Sequence, residues 1–346
     1  MVTLRAPIHP PLHAARSRYE TNPWRLSSRV LSTLDPDQFF AASRVVIVAG
    51  KGGVGKTVVT ASLARAAASL GLQVLMIDVQ GRSSLGRLFD DGELTYETQE
   101  LFRHASGGTV TGRVLSPDEA LVEWLEDHGM KRVARRMAKT GVLEVVATAT
   151  PGIKDLLVLA KVKQLERAGA ADLILIDAPA AGHAITFMQA PASLVETARV
   201  GAINRQAQDV LDMLSDRTRC RVILVTLPEE TPVNELVETA FALEDEVGLA
   251  LAPVVVNGVY PVLDGLDGSA PQVAEPAATD LAVAGSLRHR RQTLQSEQTA
   301  RLAAELPLPQ LVLSHRFDGM LEPADIADMA EELLSGIAAL PDQVIA

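Results

Sequence analysis

The stretch with the clearest chemical meaning is GKGGVGKT at residues 50–57, which matches the phosphate-loop pattern G-x-x-x-x-G-K-[ST] in full. In such a loop, backbone amides curl around phosphate oxygens and the N-terminus of a following helix adds positive potential. Lys56 is expected to reach the β- and γ-phosphate oxygens, and the Thr57 hydroxyl is expected to bind Mg²⁺. The residues expected to contact a nucleoside triphosphate are Gly50, Gly52, Gly53, Val54, Gly55, Lys56, Thr57 and Val58.

The elements around this loop follow from short apolar runs. Residues 44–49 form a run typical of a strand buried on both faces, and residues 57–70 are rich in Ala and Leu up to Gly71, a good helix terminator. The next run, 73–77, completes a β-α-β unit. Four further runs lie at residues 173–176, 222–225, 253–256 and 310–313. This alternation predicts an α/β fold, a doubly wound and mainly parallel sheet of the P-loop NTPase type.

The second and third runs are separated by about 90 residues, far more than a crossover needs. We therefore predict an inserted, mainly helical subdomain at about residues 90–170, with residues 188–215 packing on it. One of its helices should begin at Ser116, because a capping Ser is followed by Pro and, three residues after the cap, by Glu119.

The two ends of the chain differ in pattern. Residues 1–42 mix Pro, His, Arg and Ser with little periodicity and are expected to form a flexible extension. Residues 43–340 are expected to form the ATPase domain. Within that domain, residues 261–280 are rich in Pro, Gly, Ala and Asp, which predicts a surface loop.

Composition excludes several functions. The 346 residues contain 32 Lys and Arg against 43 Asp and Glu, and this excess of negative charge opposes binding to nucleic acid or to an anionic membrane. The single cysteine, Cys220, rules out an internal disulfide and a Cys-pair zinc site. No long uncharged apolar segment occurs, so stable membrane insertion is not expected. We expect a cytoplasmic protein.

Lys51 adds a second lysine early in the phosphate loop. With it, GKGGVGKT resembles the deviant phosphate loop of the dimeric ATPases that include MinD, ParA, nitrogenase iron protein and the ArsA group. The resemblance implies a nucleotide-sandwich dimer, a homodimer or a heterodimer with a related ATPase, in which Lys51 reaches the partner's nucleotide. A cation supplied in this way would stabilise transition-state charge as an arginine finger does.

Two further segments resemble the ArsA and tail-anchored-protein-targeting (Get-like) ATPases. DAPAAGH, which follows the run at 173–176, resembles their switch D-x-A-P-T-G-H, with Asp177, Gly182 and His183 in matching positions and the proline displaced by one. His183 is either part of the γ-phosphate switch or a local hydrogen-bonding residue. The segment ending in Asn257 resembles the family's adenine-reading V-V-N, and an amide can donate to and accept from adenine.

The resemblance implies ATP or ADP with Mg²⁺ as cofactors, the metal being held by Thr57 and, through water, by Asp177. A looser similarity places residues 306–319 at the family's C-terminal nucleotide-flanking loop. The whole pattern looks most like one subunit of the paired actinobacterial Get-like A and B ATPases. It implies a protein client, whose identity the sequence leaves open.

The chain departs from the family where an aspartate should position the attacking water. Alignment puts Gln80 at that position and Asp78 two residues before it. Glutamine can orient a water but cannot accept its proton, so hydrolysis should be slow or partner-dependent. The expected catalytic residues are Lys51, Lys56, Asp78 and Gln80.

The sequence favours a switch ATPase that couples nucleotide state to a client. Two alternatives stay open: a non-catalytic nucleotide-binding subunit of a heterodimeric ATPase, which Gln80 supports, and a positioning ATPase of the ParA or MinD type. The negative charge and a C-terminal segment poor in basic residues oppose the second alternative. Arsenite capture by clustered thiols is disfavoured, because Cys220 is alone.

Overall fold

The computed structural model describes residues 33–79, 85–127, 129–132, 152–198, 200–263, 265–266, 277–317 and 319–342. Within these residues the strands form a single eight-stranded sheet. The strands are β1 (Val45–Gly50), β2 (Gln73–Asp78), β3 (Gln99–Arg103), β4 (Thr109–Val114), β5 (Leu173–Ala180), β6 (Cys220–Thr226), β7 (Val254–Val259) and β8 (Gln310–Ser314). Their order is β3-β4-β2-β5-β1-β6-β7-β8, and only β3 runs antiparallel to its neighbour.

Helices cover both faces of this sheet. The described helices are α1 (Pro36–Ala41), α2 (Lys56–Ser69), α3 (Pro117–Asp127), α4 (Ile153–Ala168), α5 (Ala181–Thr197), α6 (Ala202–Ser215), α7 (Glu230–Ala242), α8 (Ala277–Glu305) and α9 (Pro323–Ala338). Residues of α1, α2 and α9 pack into one core, and residues of α4, α5, α6 and α7 pack into the other. The predicted doubly wound α/β fold is confirmed.

Strand β1 explains why the buried strands lack alternation between apolar and polar residues. Val45 and Ile47 point into the core beneath α4 to α7, whereas Val48 points into the core beneath α2 and α9. Because both faces of a central parallel strand are covered, every position along it is apolar. The six short runs that the sequence singled out correspond to β1, β2, β5, β6, β7 and β8.

The segment predicted to be a mainly helical insert contains a β-hairpin, so that prediction is wrong over residues 99–114. The hairpin turns at Gly107, whose φ of +94° suits glycine, and β4 pairs in parallel with β2 at the edge of the sheet. The run Thr109-Val110-Thr111 is β-branched, which favours a strand. The predicted helix start at Ser116 is confirmed, since the Ser116 hydroxyl accepts the backbone N–H of Glu119 at 3.3 Å.

The remainder of the predicted insert consists of α3, α4 and residues outside the described part of the chain, among them 133–151. Helix α4 contacts α3, α5 and α6. Residues 188–215 belong mainly to α5 and α6, and these two helices pack against α4.

Two predicted boundaries also need correction. Residues 33–42 were expected in a flexible extension, yet Leu34, Phe39 and Phe40 are buried in the core that α9 shares, and Asp35 caps α1. Burial of two phenylalanines makes this segment part of the domain. The predicted surface loop 261–280 is wrong over residues 277–280, because α8 begins at Ala277. Residues 1–32, 264 and 267–276 lie outside the described part.

Cys220 opens β6 and is fully buried. Burial raises the pKa of its thiol to about 12, so the thiol stays protonated and unreactive at neutral pH. In the described part of the chain, none of the helices combines the length and the apolar character that a membrane span requires.

Candidate functional site

The phosphate-loop sequence connects the carboxyl end of β1 to the first residue of α2. Two of its glycines are required by the geometry. A Cβ on Gly50 would overlap the backbone carbonyl oxygen of Val225 on the neighbouring strand, and Gly55 caps α2 with a φ of +93°. The fold thus directs the N-terminus of a 14-residue helix, with its positive potential, towards the inside of the loop.

Asn257 supports the loop from two strands away. It lies near the end of β7, which is separated from β1 by β6 in the sheet. Its Nδ2 atom donates to the Val54 carbonyl oxygen at 2.9 Å. A Cβ on Gly55 would overlap this amide. The residue predicted to read adenine is therefore also a structural support of the phosphate loop, and it keeps an amide oxygen for a further hydrogen bond.

Two buried carboxylates lie beside the loop on neighbouring strands. Asp78 on β2 and Asp177 on β5 are register partners, and both are nearly inaccessible to solvent. The Thr57 hydroxyl donates to Asp177 Oδ2 at 2.7 Å. Burial, together with the nearby charge of Asp78, raises the pKa of Asp177 to about 6, although the Thr57 hydrogen bond and the Lys56 ammonium lower it.

These oxygens are the kind of ligand that Mg²⁺ prefers, because it is a hard cation that binds hydroxyl, carboxylate and phosphate oxygens. The raised pKa means that the ionised Asp177 carboxylate is unfavourable in this site, and the positive charge of a bound dication would stabilise it. In the described residues, no group of three or more His, Cys, Asp and Glu side chains could hold a metal ion. Thr57 and Asp177 would thus hold Mg²⁺ jointly with nucleotide phosphates and water, where it would offset phosphate charge.

The two loop lysines have different partners. Lys56 Nζ donates to the Lys51 carbonyl oxygen at 3.1 Å, which closes the loop on itself. Burial lowers the pKa of Lys56, and the charge of Asp177 opposes that change. Lys51 Nζ pairs with Glu235 Oε1 of α7 at 2.5 Å, and each of these two side chains is 38% exposed.

The predicted switch residues begin helix α5. Asp177 lies within β5, whereas Gly182 and His183 are in the first turn of α5 rather than in a loop. His183 is exposed, and its charge acts on Asp155 in the first turn of α4. Burial raises the pKa of Asp155, and His183 partly offsets this rise. The segment is therefore next to the helical layer that α4, α5 and α6 form.

A cluster of rings lies at the ends of β7 and β8, close in sequence to Asn257. Tyr260 stacks on His315 with centroids 4.7 Å apart, and Phe317 meets His315 edge-on at 4.6 Å. The Arg288 guanidinium lies over the Tyr260 ring at 4.3 Å. This cluster includes residues of the segment 306–319, and flat ring faces of this kind are suited to stacking on a planar base.

The structure brings most of the predicted site together: Lys51, Lys56, Thr57, Asp78, Asp177 and Asn257 all lie at or beside the loop. Gln80 lies outside the described residues. Sequence reasoning missed Glu235 and Asp155. Nothing in the sequence indicated that Glu235 pairs with a lysine 184 residues away.

Comparison with known proteins agrees with this fold. Residues 43–205 match the family model for anion-transporting ATPases. The ATPase BagA of Mycobacterium tuberculosis is 30% identical over 225 residues, which cover 63% of this chain and 66% of that protein. An arsenical pump-driving ATPase of Acidiphilium multivorum is 25% identical over 316 residues, 82% of this chain and 47% of that protein.

A third relative, the ATPase get3 of Neurospora crassa, is 26% identical over 201 residues, which are 56% of this chain and 55% of that protein. The matches thus cover about half to two thirds of these relatives' own lengths. The chain belongs to the ArsA and Get-like family of ATPases, as its loop and switch segments predicted.

Proposed function

We propose that this protein is an ATP-binding dimeric switch ATPase that couples its nucleotide state to a protein client. The observation that carries the proposal is the hydrogen bond between Thr57 and Asp177. It joins the last residue of a complete phosphate loop to a buried carboxylate, and a second carboxylate, Asp78, lies alongside. Oxygen ligands for Mg²⁺ and backbone donors for phosphate thus lie together beside the phosphate loop.

Each residue of the site has its own role in this proposal. Loop residues 50–58 bind the phosphates, Asn257 contacts the base, and Thr57 and Asp177 hold Mg²⁺. Lys56 and Lys51 stabilise charge on the β- and γ-phosphates, Lys51 acting on the nucleotide of the partner subunit. Such added cations accelerate phosphoryl transfer by about 10³ to 10⁵ where arginine fingers have been measured.

The segment that begins at Asp177 is the switch that senses the γ-phosphate. It continues into α5 through Gly182 and His183, and α5 packs against α4 and α6. A conformational change in this segment would therefore be transmitted directly to the layer formed by α4, α5 and α6. We propose that the client binds to this layer, because helices that can pack in two alternative arrangements transmit the nucleotide state to their surface.

Hydrolysis by this chain alone should be slow. Gln80 orients the attacking water but cannot take its proton, and Asp78 is the nearest carboxylate in sequence. We expect Gln80→Asp to raise steady-state phosphate release by at least about tenfold, the lower end of what a positioned base contributes. Rapid release by the wild-type protein that the substitution leaves unaltered would contradict this role for Gln80.

A matched control for this experiment is Gln208→Asp. Gln208 is exposed on α6 and its side chain bonds only locally, to Asp212 at 2.9 Å. The variant Gln208→Asp also introduces a new carboxylate, but at a position far along the chain from the phosphate loop. Phosphate release should be the same as in the wild type.

Assembly is tested by native mass measurement with and without ATP, on the chain alone and together with a related ATPase from the same cell. We expect a dimer that depends on ATP and on Lys51. A monomer under every nucleotide condition, with Lys51→Ala unaltered in assembly and phosphate release, would refute the sandwich dimer.

A second candidate function is a nucleotide-binding subunit whose partner alone hydrolyses ATP, and Gln80 is the observation that favours it. The two functions differ in one measurement. If the partner's own site is inactivated, a dimer with this chain still releases phosphate when this chain is catalytic and releases none when it is not. Metalloid binding through thiols is not proposed, because the one cysteine is buried and protonated.

A further inference from the structure

The Lys51–Glu235 pair links two parts of the chain that the fold holds firmly. Lys51 belongs to the phosphate loop, and Glu235 lies in the second turn of α7, whose residues pack on β6 and on α8. Arg301 of α8 fixes this end of α7 by donating to Asn234 Oδ1 at 2.7 Å and to the Glu230 carbonyl oxygen at 3.2 Å. The Glu235 carboxylate is therefore presented to the loop from an anchored helix.

Lys51 binds the Glu235 carboxylate through the same ammonium group that would bind a phosphate. A lysine ammonium has three donors and no acceptor, and it binds carboxylate and phosphate oxygens alike. A pair as exposed as this one contributes little to stability, because solvent screens its charges. The several negative charges of a triphosphate can outcompete such a partner.

We propose that Glu235 is a positioning residue that holds Lys51 within its own chain, and that the phosphates of a nucleoside triphosphate take its place. The identity of the incoming anion rests on the proposed function. Glu235 thus opposes triphosphate binding and keeps Lys51 away from phosphate until a nucleotide arrives. When Lys51 leaves, the carboxylate on α7 loses its partner, so α7 responds to the nucleotide whose phosphates Lys51 binds.

The first test needs no nucleotide. The full-length protein is treated briefly with acetic anhydride, and acetylation of the Lys51 peptide is measured by mass spectrometry in the wild type, in Glu235→Gln and in Glu238→Gln. Glu238 is exposed one turn further along α7, so its substitution removes the same charge without touching Lys51. We expect labelling of Lys51 to rise about twofold or more in Glu235→Gln only. Equal labelling in all three proteins would overturn the proposal.

The second test measures the affinity of the same three proteins for ATPγS with Mg²⁺. Glu235→Gln should bind about two- to fivefold more tightly, the range that loss of one exposed ion pair allows, and Glu238→Gln should match the wild type. Equal tightening by both variants would show a general charge effect and overturn the proposal. A wild type that binds no ATPγS would instead refute the proposed function, and the labelling result would stand by itself.

Discussion

Asp177 offers a direct test of the site, because a residue kept for binding a cation should cost stability when no cation is bound. Its carboxylate is almost fully buried, and its pKa is raised from the ordinary 3.8 to about 6. The folded protein therefore holds a proton on Asp177 more firmly than the unfolded chain does. Stability from this group is greatest below about pH 4 and is lost as the pH rises through 6.

The size of this effect follows from the shift. The rise in pKa corresponds to about 3 kcal/mol of destabilisation above pH 6. In Asp177→Asn the amide carries no charge, and its oxygen can still accept from the Thr57 hydroxyl. The raised pKa already includes the attraction between Asp177 and Lys56, so the shift gives the net effect of ionising Asp177 in the folded protein. We expect the variant to be about 1 to 3 kcal/mol more stable at pH 8 and equally stable near pH 4.

The assay is urea denaturation of both proteins at pH 4, 6 and 8, without nucleotide or divalent cation. Comparing the two proteins at each pH isolates Asp177 from the other titrating groups. At pH 8 the urea midpoint of the variant should be higher by roughly 0.5 to 1 M. The same variant should lose Mg²⁺-dependent nucleotide binding, the usual trade between stability and function at a site of this kind.

Two results would refute this role of Asp177: a variant Asp177→Asn that is no more stable than the wild type at pH 8, or a difference in stability that does not change between pH 4 and pH 8. Either result would mean that the Asp177 carboxylate is already compensated within the fold. In that case the site would have no need of a cation, and Thr57 and Asp177 would have a purely structural role.

Three further predictions test other parts of the structure. Gly55→Ala should lower nucleotide affinity at least about tenfold, because the new methyl group would overlap Asn257 and the backbone φ disfavours a side chain. The control Gly248→Ala has a φ of +72° and open space around the new methyl group. It should lose about 1 kcal/mol of stability and no nucleotide affinity. Phe40→Ala should lower the free energy of unfolding by about 3 kcal/mol in urea denaturation, and a change below 0.5 kcal/mol, as expected for the exposed Leu287→Ala, would show that residues 33–42 are not part of the domain. The Cys220 thiol should not react with a disulfide reagent until the protein unfolds, and fast reaction of the folded protein would show that β6 opens.

The sequence predicted the elements whose physics is local. A strand buried on both faces is a run of aliphatic residues, and a phosphate loop needs its glycines in a fixed order, so β1, β2 and the loop could be located in advance. The hairpin was missed because β3 is an exposed-to-half-buried edge strand with polar residues, and because β4 interrupts its apolar residues with Thr, Gly and Arg. A usable signal was overlooked before α1, where Asp35 and Pro36 form a good helix start ahead of two phenylalanines.

The long-range contacts could not be predicted in the same way. Lys51 and Glu235 are brought together by the order of the strands and by the packing of α7, and neither residue carries a local mark of that meeting. The same holds for Asp155 beside His183, and for the hydrogen bond from Asn257 to Val54. Each depends on which elements become neighbours in the folded domain.

If Asn257 binds the base as we propose, its hydrogen bond to Val54 would make the two ends of a bound nucleotide thermodynamically interdependent. One amide group would then both bind the base and restrain the cradle for the phosphates. A base that reorients this amide changes the cradle, so the affinities for adenosine and for tripolyphosphate should not sum to the affinity for ATP. Discrimination between purines would then be visible in the affinity for the phosphates.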